Sequence, residues 1–254
     1  MLDVRTSHLQ ARLAAGPEDL RRAQSLRYLA FRATCGEAGS DEDRFDAACT
    51  HVLIEETGTG RLVCCYRLMP LRTGAEIAQS YSAQFYDLAP LQRFPGPMAE
   101  LGRFCVHPER TGDPDILRVA WGVLTRYVDE AQIEMLFGCS SFAGTDHTIY
   151  GDAFAMLRAR HLAPAGWRPG IKSPDVFRFA ETLTQKPVAA RALRTMPPLL
   201  RTYLMMGGWV SDHAVIDRDL NTLHVFTGLE IAAIPAARAK ALRDVAQTRE
   251  CAVA

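Results

Sequence analysis

The 254-residue sequence has no CxxC pair, no metal-ligand spacing among its histidines, no excess of either charge and no apolar run long enough to span a bilayer. Each absence excludes something. Its seven cysteines (Cys35, Cys49, Cys64, Cys65, Cys105, Cys139, Cys251) mostly sit in apolar, strand-like runs, where a thiol behaves as a small hydrophobe. They are expected to be reduced thiols in a cytoplasmic protein, with no metal bound. His51, His107, His161, His213 and His224 are scattered without ligand spacing. With 29 cationic and 29 anionic side chains, there is no bulk positive charge of the kind nucleic-acid binding draws on. The opening MLDVRTSHLQARLAAGPEDL has no apolar stretch of signal-peptide length. There are no repeats and no low-complexity linker, so one domain is expected over 1–254, with 165–254 as its C-terminal half.

The charge is unevenly distributed. Residues 37–56 hold seven Asp/Glu and one Arg, whereas residues 157–202 hold nine Lys/Arg and two Asp/Glu. Such asymmetry suits an acidic segment that attracts a cation and a basic one that attracts an anionic partner, or else two solvated faces.

Periodicity predicts the elements. GPEDLRRAQSLRYLAFRATCG reads as a helix, with Gly16 and Pro17 at its start, Glu18 and Asp19 at its positive end, and Gly36 as its stop. Leu20, Ala23, Arg27 and Phe31 share one side of it. THVLIEE and RLVCCYRLMP flank TGTG as a hairpin, with Val63, Cys65, Arg67 and Met69 on one face. AELGRFCV is a further strand, and DPDILRVAWGVLTRYVDEAQ a helix opened by Asp113 and Pro114. EMLFGCSS has the nearly all-apolar character of a central strand, and TDHTIYGDAFAMLRARH follows as a helix. VFRFAETL reads as a strand, PPLLRTYLMMGG as a short helix, AVIDRDLNTLHVFTGLEI as a hairpin and PAARAKALRDVAQTRE as a last helix. The order predicts a mixed α/β sheet.

AELGRFCV carries Glu100 and Arg103 on what is otherwise a core strand. Arg27 and Arg67 intrude on apolar faces in the same way, and Asp43 and Asp46 lie in the loop DEDRFD. Buried charges are costly unless paired or used. Two readings stay open: an internal ion-pair network that ties the first helix to the sheet, or a cleft whose carboxylates hold a cationic substrate. Strict alternation sends Glu100 and Arg103 to opposite faces, so a bulge near Gly102 is expected, which turns both toward one cleft with Arg27 and Arg67.

These residues carry a resemblance. LRYLAFR, DEDRFD, CCYRLMP and AELGRFCV are similar to the acyl-homoserine-lactone synthases of the GNAT superfamily, and Arg27, Phe31, Asp43, Asp46, Arg67, Glu100 and Arg103 fall on that family's characteristic positions. The Trp those synthases carry after the first-helix Phe is absent from RATCGEAG. GCSSFAGTD, LRARHLAP and PPLLRTYLMMGGWVSDHAVIDRDLNTLHVFTGL resemble instead the ornithine N-acyltransferases of bacterial ornithine-lipid synthesis.

The resemblance implies a GNAT-like α/β fold: a mixed, mostly antiparallel central sheet splayed at the acyl-donor site, helices on both faces and a C-terminal extension. It implies transfer of a 3-hydroxyacyl group from acyl carrier protein to the α-amino group of ornithine. Glutamine as acceptor, lactone synthesis, and a non-catalytic carrier-binding module are the alternatives. Glu100 is the expected general base, with Arg103 beside it. Arg27, Phe31, Asp43, Asp46 and Arg67 are the expected substrate contacts. Phe104, Cys105 and Val106 are expected along the acyl donor, one backbone N–H among them facing the oxyanion, with Ser140 and Ser141 capping the next helix or touching the pantetheine arm. The superfamily's pyrophosphate loop is replaced by PERTGDPDILRVAW, with one glycine and several acids. That favours a donor with a single phosphodiester, the phosphopantetheine of acyl carrier protein, and no permanently bound cofactor. Arg158, Arg160, Arg168 and Lys172 are the expected dock for this acidic partner. PPLLRTYLMMGG, with Leu199, Leu200, Tyr203, Leu204 and Met206 among arginines, is either a core helix or a peripheral membrane contact. A Ser–His hydrolase is disfavoured, because GCSSF lacks the G-x-S-x-G elbow.

Overall fold

The computed structural model describes residues 4–33 and 37–247. The expected helix stop at Gly36, and Cys35 and Cys251, lie outside these described residues. The chain gathers into two compact units. The first takes the described residues up to Pro70, Leu101–Ile133 and those from Ala236 onward; the second takes Leu71–Glu100 and Glu134–Pro235.

In the first unit, β1 (Val4–Arg5) and β2 (Leu9–Leu13) precede helix α1 (Pro17–Phe31). Pro17 occupies the first turn with Glu18 and Asp19, as the helix dipole favours. The hairpin of β3 (Thr50–Glu56) and β4 (Leu62–Leu71) follows. Next in the chain come β5 (Tyr86–Asp87) in the second unit, β6 (Met98–Val106), which runs from the second unit into the first, and α2 (Pro114–Glu130) in the first unit. The first unit's strand order is β1-β2-β3-β4-β6, and β1 to β4 pair antiparallel. Successive residues on β4 point to opposite faces. Cys65 packs with Ala23 and Leu26 of α1, while the Tyr66 hydroxyl donates to the Ala120 carbonyl of α2 at 3.1 Å. Helices therefore cover both faces here. The buried side of α1 is Ala23, Gln24, Leu26 and Arg27, with Leu20 and Phe31 only half-buried at its margin. The described cysteines are free thiols; burial pushes Cys64 well above its ordinary pKa, and the hydrogen bond to Cys105, together with burial, does so for Cys65.

In the second unit, β7 (Met135–Ala143) and helix α3 (Gly151–Arg160) precede the short strands β8 (Gly170–Ile171) and β9 (Val176–Phe177). Helices α4 (Phe179–Thr182), α5 (Ala189–Thr195) and α6 (Pro198–Met205) follow, then β10 (Trp209–Val210), β11 (Ala214–Asp217) and β12 (Thr222–Glu230), while α7 (Ala236–Gln247) belongs to the first unit. The order here is β6-β7-β12-β11-β9. β6 pairs parallel with β7 from Met98–Met135 to Glu100–Phe137, and the other pairs are antiparallel. The mixed, mostly antiparallel α/β sheet expected of a GNAT-like fold is present.

Two expectations are corrected. VFRFAETL is a strand only at Val176–Phe177; the Ala180 N–H donates to the Asp212 carbonyl, and Phe179–Thr182 closes a helical turn on the core instead. Ser140 and Ser141 do not cap α3. They lie within β7, where Ser140 accepts from the Thr227 hydroxyl at 2.9 Å, and the turn before α3 is capped by Asp146. In α6, Leu200, Tyr203 and Leu204 are buried, as is Met206 just beyond, as the core-helix alternative has it. Among the described residues, no helix is long and apolar enough to cross a membrane.

Gly228 of β12 pairs with Trp209, and a Cβ there would lie 2.4 Å from the indole. Gly228→Ala is expected to lower stability by about 1–3 kcal/mol through overpacking, measured as a shift in the urea midpoint at unchanged slope.

Candidate active site

The acidic segment after α1 folds back onto that helix because its carboxylates meet guanidinium groups from three separate elements. Arg27 of α1 donates from Nε to Asp41 at 2.9 Å and from Nη1 to Asp46 at 2.7 Å. Arg67 of β4 holds Asp43 through two parallel bonds of 2.7 and 2.8 Å and also donates to Asp46 at 2.5 Å. Arg103 of β6 donates to Asp41 at 3.0 Å and to Asp43 at 3.1 Å. Arg32 reaches Asp41 and Gln24 reaches Asp46, each at 3.0 Å. His51 Nε2 bonds the Asp46 carbonyl at 2.9 Å, which makes that nitrogen the donor.

Burial alone would raise these carboxyls. Against it, the Arg103, Arg32 and Arg27 guanidinium groups hold Asp41 below the ordinary range, Arg67 does the same for Asp43, and Arg27 and Gln24 do so for Asp46. Burial likewise opposes the charge of Arg67, but its carboxylate partners raise its pKa on balance. All three aspartates are therefore ionised at neutral pH.

Of the two readings of these charges, the structure contains the ion network. Arg27 is 1 % exposed, and Arg67 and Asp46 are buried beside it. Their charges are directed at one another. Phe31 packs at the edge of the α1 core cluster. Asp43 and Arg103 keep the most solvent contact, with side chains 19 % and 9 % exposed. Asp41, which holds two of the guanidinium groups, was not singled out from the sequence, although it lies two residues before Asp43 in the same acidic run.

The expected irregularity in β6 is present, one residue later than Gly102. Arg103 has φ 53°, a left-handed conformation that costs a non-glycine residue about 1–2 kcal/mol. Its ion pairs to Asp41 and Asp43 hold it there. The side chain of Glu100 engages a different set of groups. Its Oε1 accepts from the Ser82 N–H at 2.7 Å and the Ser82 hydroxyl at 2.5 Å, and its Oε2 accepts from the Tyr81 N–H at 2.8 Å. Ser82 Oγ also lies 3.4 Å from Cys139 Sγ on β7. Glu100 and Arg103 are thus each held by partners of their own. Ser82 went unnoticed in the sequence because residues 72–97 consist of short 3-10 turns and one two-residue strand, which leave no periodicity to read.

The expected donor residues divide. Phe104 stacks on Tyr66 at 5.5 Å between centroids, and Cys105 is a core thiol 3.5 Å from Cys65. Val106 is half-buried, and the His107 N–H just after it is engaged by the Val63 carbonyl at 2.8 Å. Ser141 is exposed on β7. Among the expected basic contacts, Arg158 donates to the Thr184 and Gln185 carbonyls, Arg168 to the Ala163 carbonyl at 3.3 Å and Lys172 to the Ala83 carbonyl at 2.6 Å. These acceptors are neutral, although Arg168 also lies close enough to Asp212 to help hold its carboxyl down. Arg160 is exposed at the end of α3. At the N-terminus of α2, Asp113 accepts from the Asp115 N–H at 3.0 Å and pairs with Arg110 at 2.7 Å, so the helix end already carries an anion.

The second unit also contains a buried aromatic–imidazole cluster that the scattered histidines of the sequence did not suggest. The Tyr86 hydroxyl donates to the His224 carbonyl at 2.8 Å and lies 3.1 Å from His224 Nδ1. The His213 ring is 5.3 Å from the Tyr86 ring, and its Nδ1 bonds Asp212 at 2.7 Å. Burial, with His213 nearby, pushes the His224 imidazole down to about 3, so it is neutral.

A family profile described as an acetyltransferase (GNAT) domain matches residues 26–121. The L-ornithine N(alpha)-acyltransferase of Rhodobacter capsulatus is 37% identical over 230 residues, covering 85% of this chain and 87% of that protein. The protein of the same name from Agrobacterium fabrum is 29% identical over 246 residues, covering 91% and 83%. Among solved structures, the AHL synthase LasI aligns with a TM-score of 0.43 at 17% identity, covering 89% of this chain and 91% of that one.

Two predictions follow from the geometry. Asp46→Asn leaves guanidinium charge buried without its partner and is expected to cost about 3–5 kcal/mol at neutral pH. Because the aspartates' folded values lie below the unfolded value of about 3.9, their stabilisation is complete above pH ~4 and is lost as pH falls through the lower folded values. Asp46→Asn should therefore show a shallower acid limb in urea midpoints measured across that range. Ser82→Ala keeps both backbone bonds to Glu100 and is expected to cost about 1.5–3 kcal/mol. Glu100→Gln sets an amide NH2 against those donors and should cost more, an order that thermal unfolding of the two variants checks.

Proposed function

The chain belongs to the L-ornithine N(alpha)-acyltransferase family, and on that premise we propose that it acylates the α-amino group of ornithine with a 3-hydroxyacyl group delivered by acyl carrier protein in the cytoplasm. The product is a lyso-ornithine lipid. The observation that carries the reading is the 37% identity to a named ornithine acyltransferase over 85% of the chain.

The reaction forms an N–C bond to the acyl carbonyl and breaks the thioester C–S bond. The proton leaves the amine, and the thiol leaves on the phosphopantetheine arm. Two features support a carrier-bound donor over coenzyme A. The α2 N-terminus, where a pyrophosphate would sit, is capped by Asp113 and followed by Asp115. The cations Arg158, Arg168 and Lys172 are bonded only to backbone carbonyls in the described contacts, which leaves them available with Arg160 to an acidic partner.

Glu100 enters as a positioning residue in place of the general base expected from the sequence. Both oxygens of its carboxylate are already engaged, by two backbone N–H groups and a hydroxyl. It fixes the Tyr81–Ser82 turn beside Cys139. Acceptor contacts are assigned to Asp43, Arg103 and Phe31, the members of the expected set that retain solvent contact.

The test supplies 3-hydroxyacyl carrier protein with ornithine, glutamine or S-adenosylmethionine and identifies products by mass. N-acylornithine is the expected product. A lactone, acylglutamine alone, or turnover only with acyl-coenzyme A would overturn the reading.

A further inference from the structure

Residues 182–211 contain Lys186, Arg191, Arg194 and Arg201 and no Asp or Glu across thirty positions. They also hold Val188 and Leu193, which are 45% and 47% exposed. Both flank or lie on α5, a helix that buries only Ala192. Exposed Ile149, at 59%, belongs to the same surface. It sits three residues before Asp152, whose carboxylate accepts from the Val188 N–H at 2.8 Å and pairs with Arg191 at 2.7 Å. The turn that carries Ile149 also packs directly on α5.

Val188 and Leu193 thus stand out on a segment whose fixed charges are all positive, and Ile149 stands out on the adjoining turn, which Asp146 and Asp152 flank. Asp152 is engaged by Arg191, and no ion pair to Lys186 or Arg194 occurs among the described residues. We infer that α5 and the Ile149 turn form a surface that rests on an anionic lipid bilayer: the apolar tips enter the headgroup boundary, and Lys186 and Arg194 face the lipid phosphates. The occupant follows from charge and shape. Separated aliphatic tips suit a fluid lipid surface, and the cations Lys186 and Arg194 select an anionic one. The inference rests on the acyl-lipid reading only in giving the protein a reason to be there, because its product would be an amphiphile.

The test is flotation of the full chain with phosphatidylcholine vesicles, with and without phosphatidylglycerol. Wild type is expected to float with the anionic vesicles and to stay in solution with the neutral ones. Ile149→Ser/Leu193→Ser and Arg194→Glu are each expected to reduce flotation at least about tenfold, since both apolar insertion and charge contribute. Their acyl transfer from a detergent-dispersed donor, and their thermal unfolding, should match wild type. Failure of wild type to float, flotation equal for wild type and variants, or a raised KM for acylated carrier protein with flotation unchanged would each overturn the proposal. Ornithine acylation is measured separately, so either idea can fail while the other stands.

Discussion

Arg27, Arg67 and Arg103 meet Asp41, Asp43 and Asp46 in a largely buried cluster, and much of the first unit depends on that meeting. The three guanidinium groups come from a helix and two strands, and the three carboxylates from a single irregular segment. The segment has little apolar surface of its own to bury, and the ion pairs hold it in place. Such a network is demanding: desolvation of each charge is recovered only if every partner is present. A second network in the same unit makes the contrast. Arg12 and Arg22 bridge Asp19 and Glu55, but both arginines are about a third exposed, so water screens those pairs and each contributes far less.

The buried network also explains why a left-handed residue is tolerated within β6. Arg103 is bound at two nitrogens to two aspartates, and its backbone follows its side chain. Glu100, three residues earlier, is fixed just as firmly by Tyr81 and Ser82. A short stretch of strand is thereby anchored by charge at both ends, with its irregular residue between a core thiol and a buried carboxylate.

Much of this was legible in the sequence for physical reasons. Helices with Pro at their start and acids in their first turn declared themselves, as did the hairpin around TGTG. Charges at apolar spacing on α1, β4 and β6 announced a network or a site, since burial forces a charge to have a use. The irregularity after Glu100 was readable because Glu100 and Arg103 are an odd number of residues apart. Where the reading failed, the signal was not local. β2 went unread although LQARL alternates apolar and polar residues, because its partner strand β3 lies beyond α1. Asp41 differs from its acidic neighbours only in what reaches it from elsewhere in the chain. Ser82 lies in a turn and Tyr86 in a two-residue strand, and their partners Glu100 and His224 are 18 and 138 residues away. The apolar face of α6 reads the same whether a core or a bilayer covers it.

The first unit's chain order has one more consequence. Helix α2 packs against β1 and β2 on one hand and α7 on the other, and α7 begins at Ala236, more than a hundred residues after α2 ends at Glu130. The whole of the second unit except Leu71–Glu100 is inserted between them. During synthesis, α2 therefore emerges with part of its apolar surface uncovered and stays so until α7 has left the ribosome. Closure of such a long loop is slow relative to local pairing, so the second unit's long β7–β12 ladder has time to form first. The stage most exposed to aggregation is then the interval in which α2 waits for its last partner.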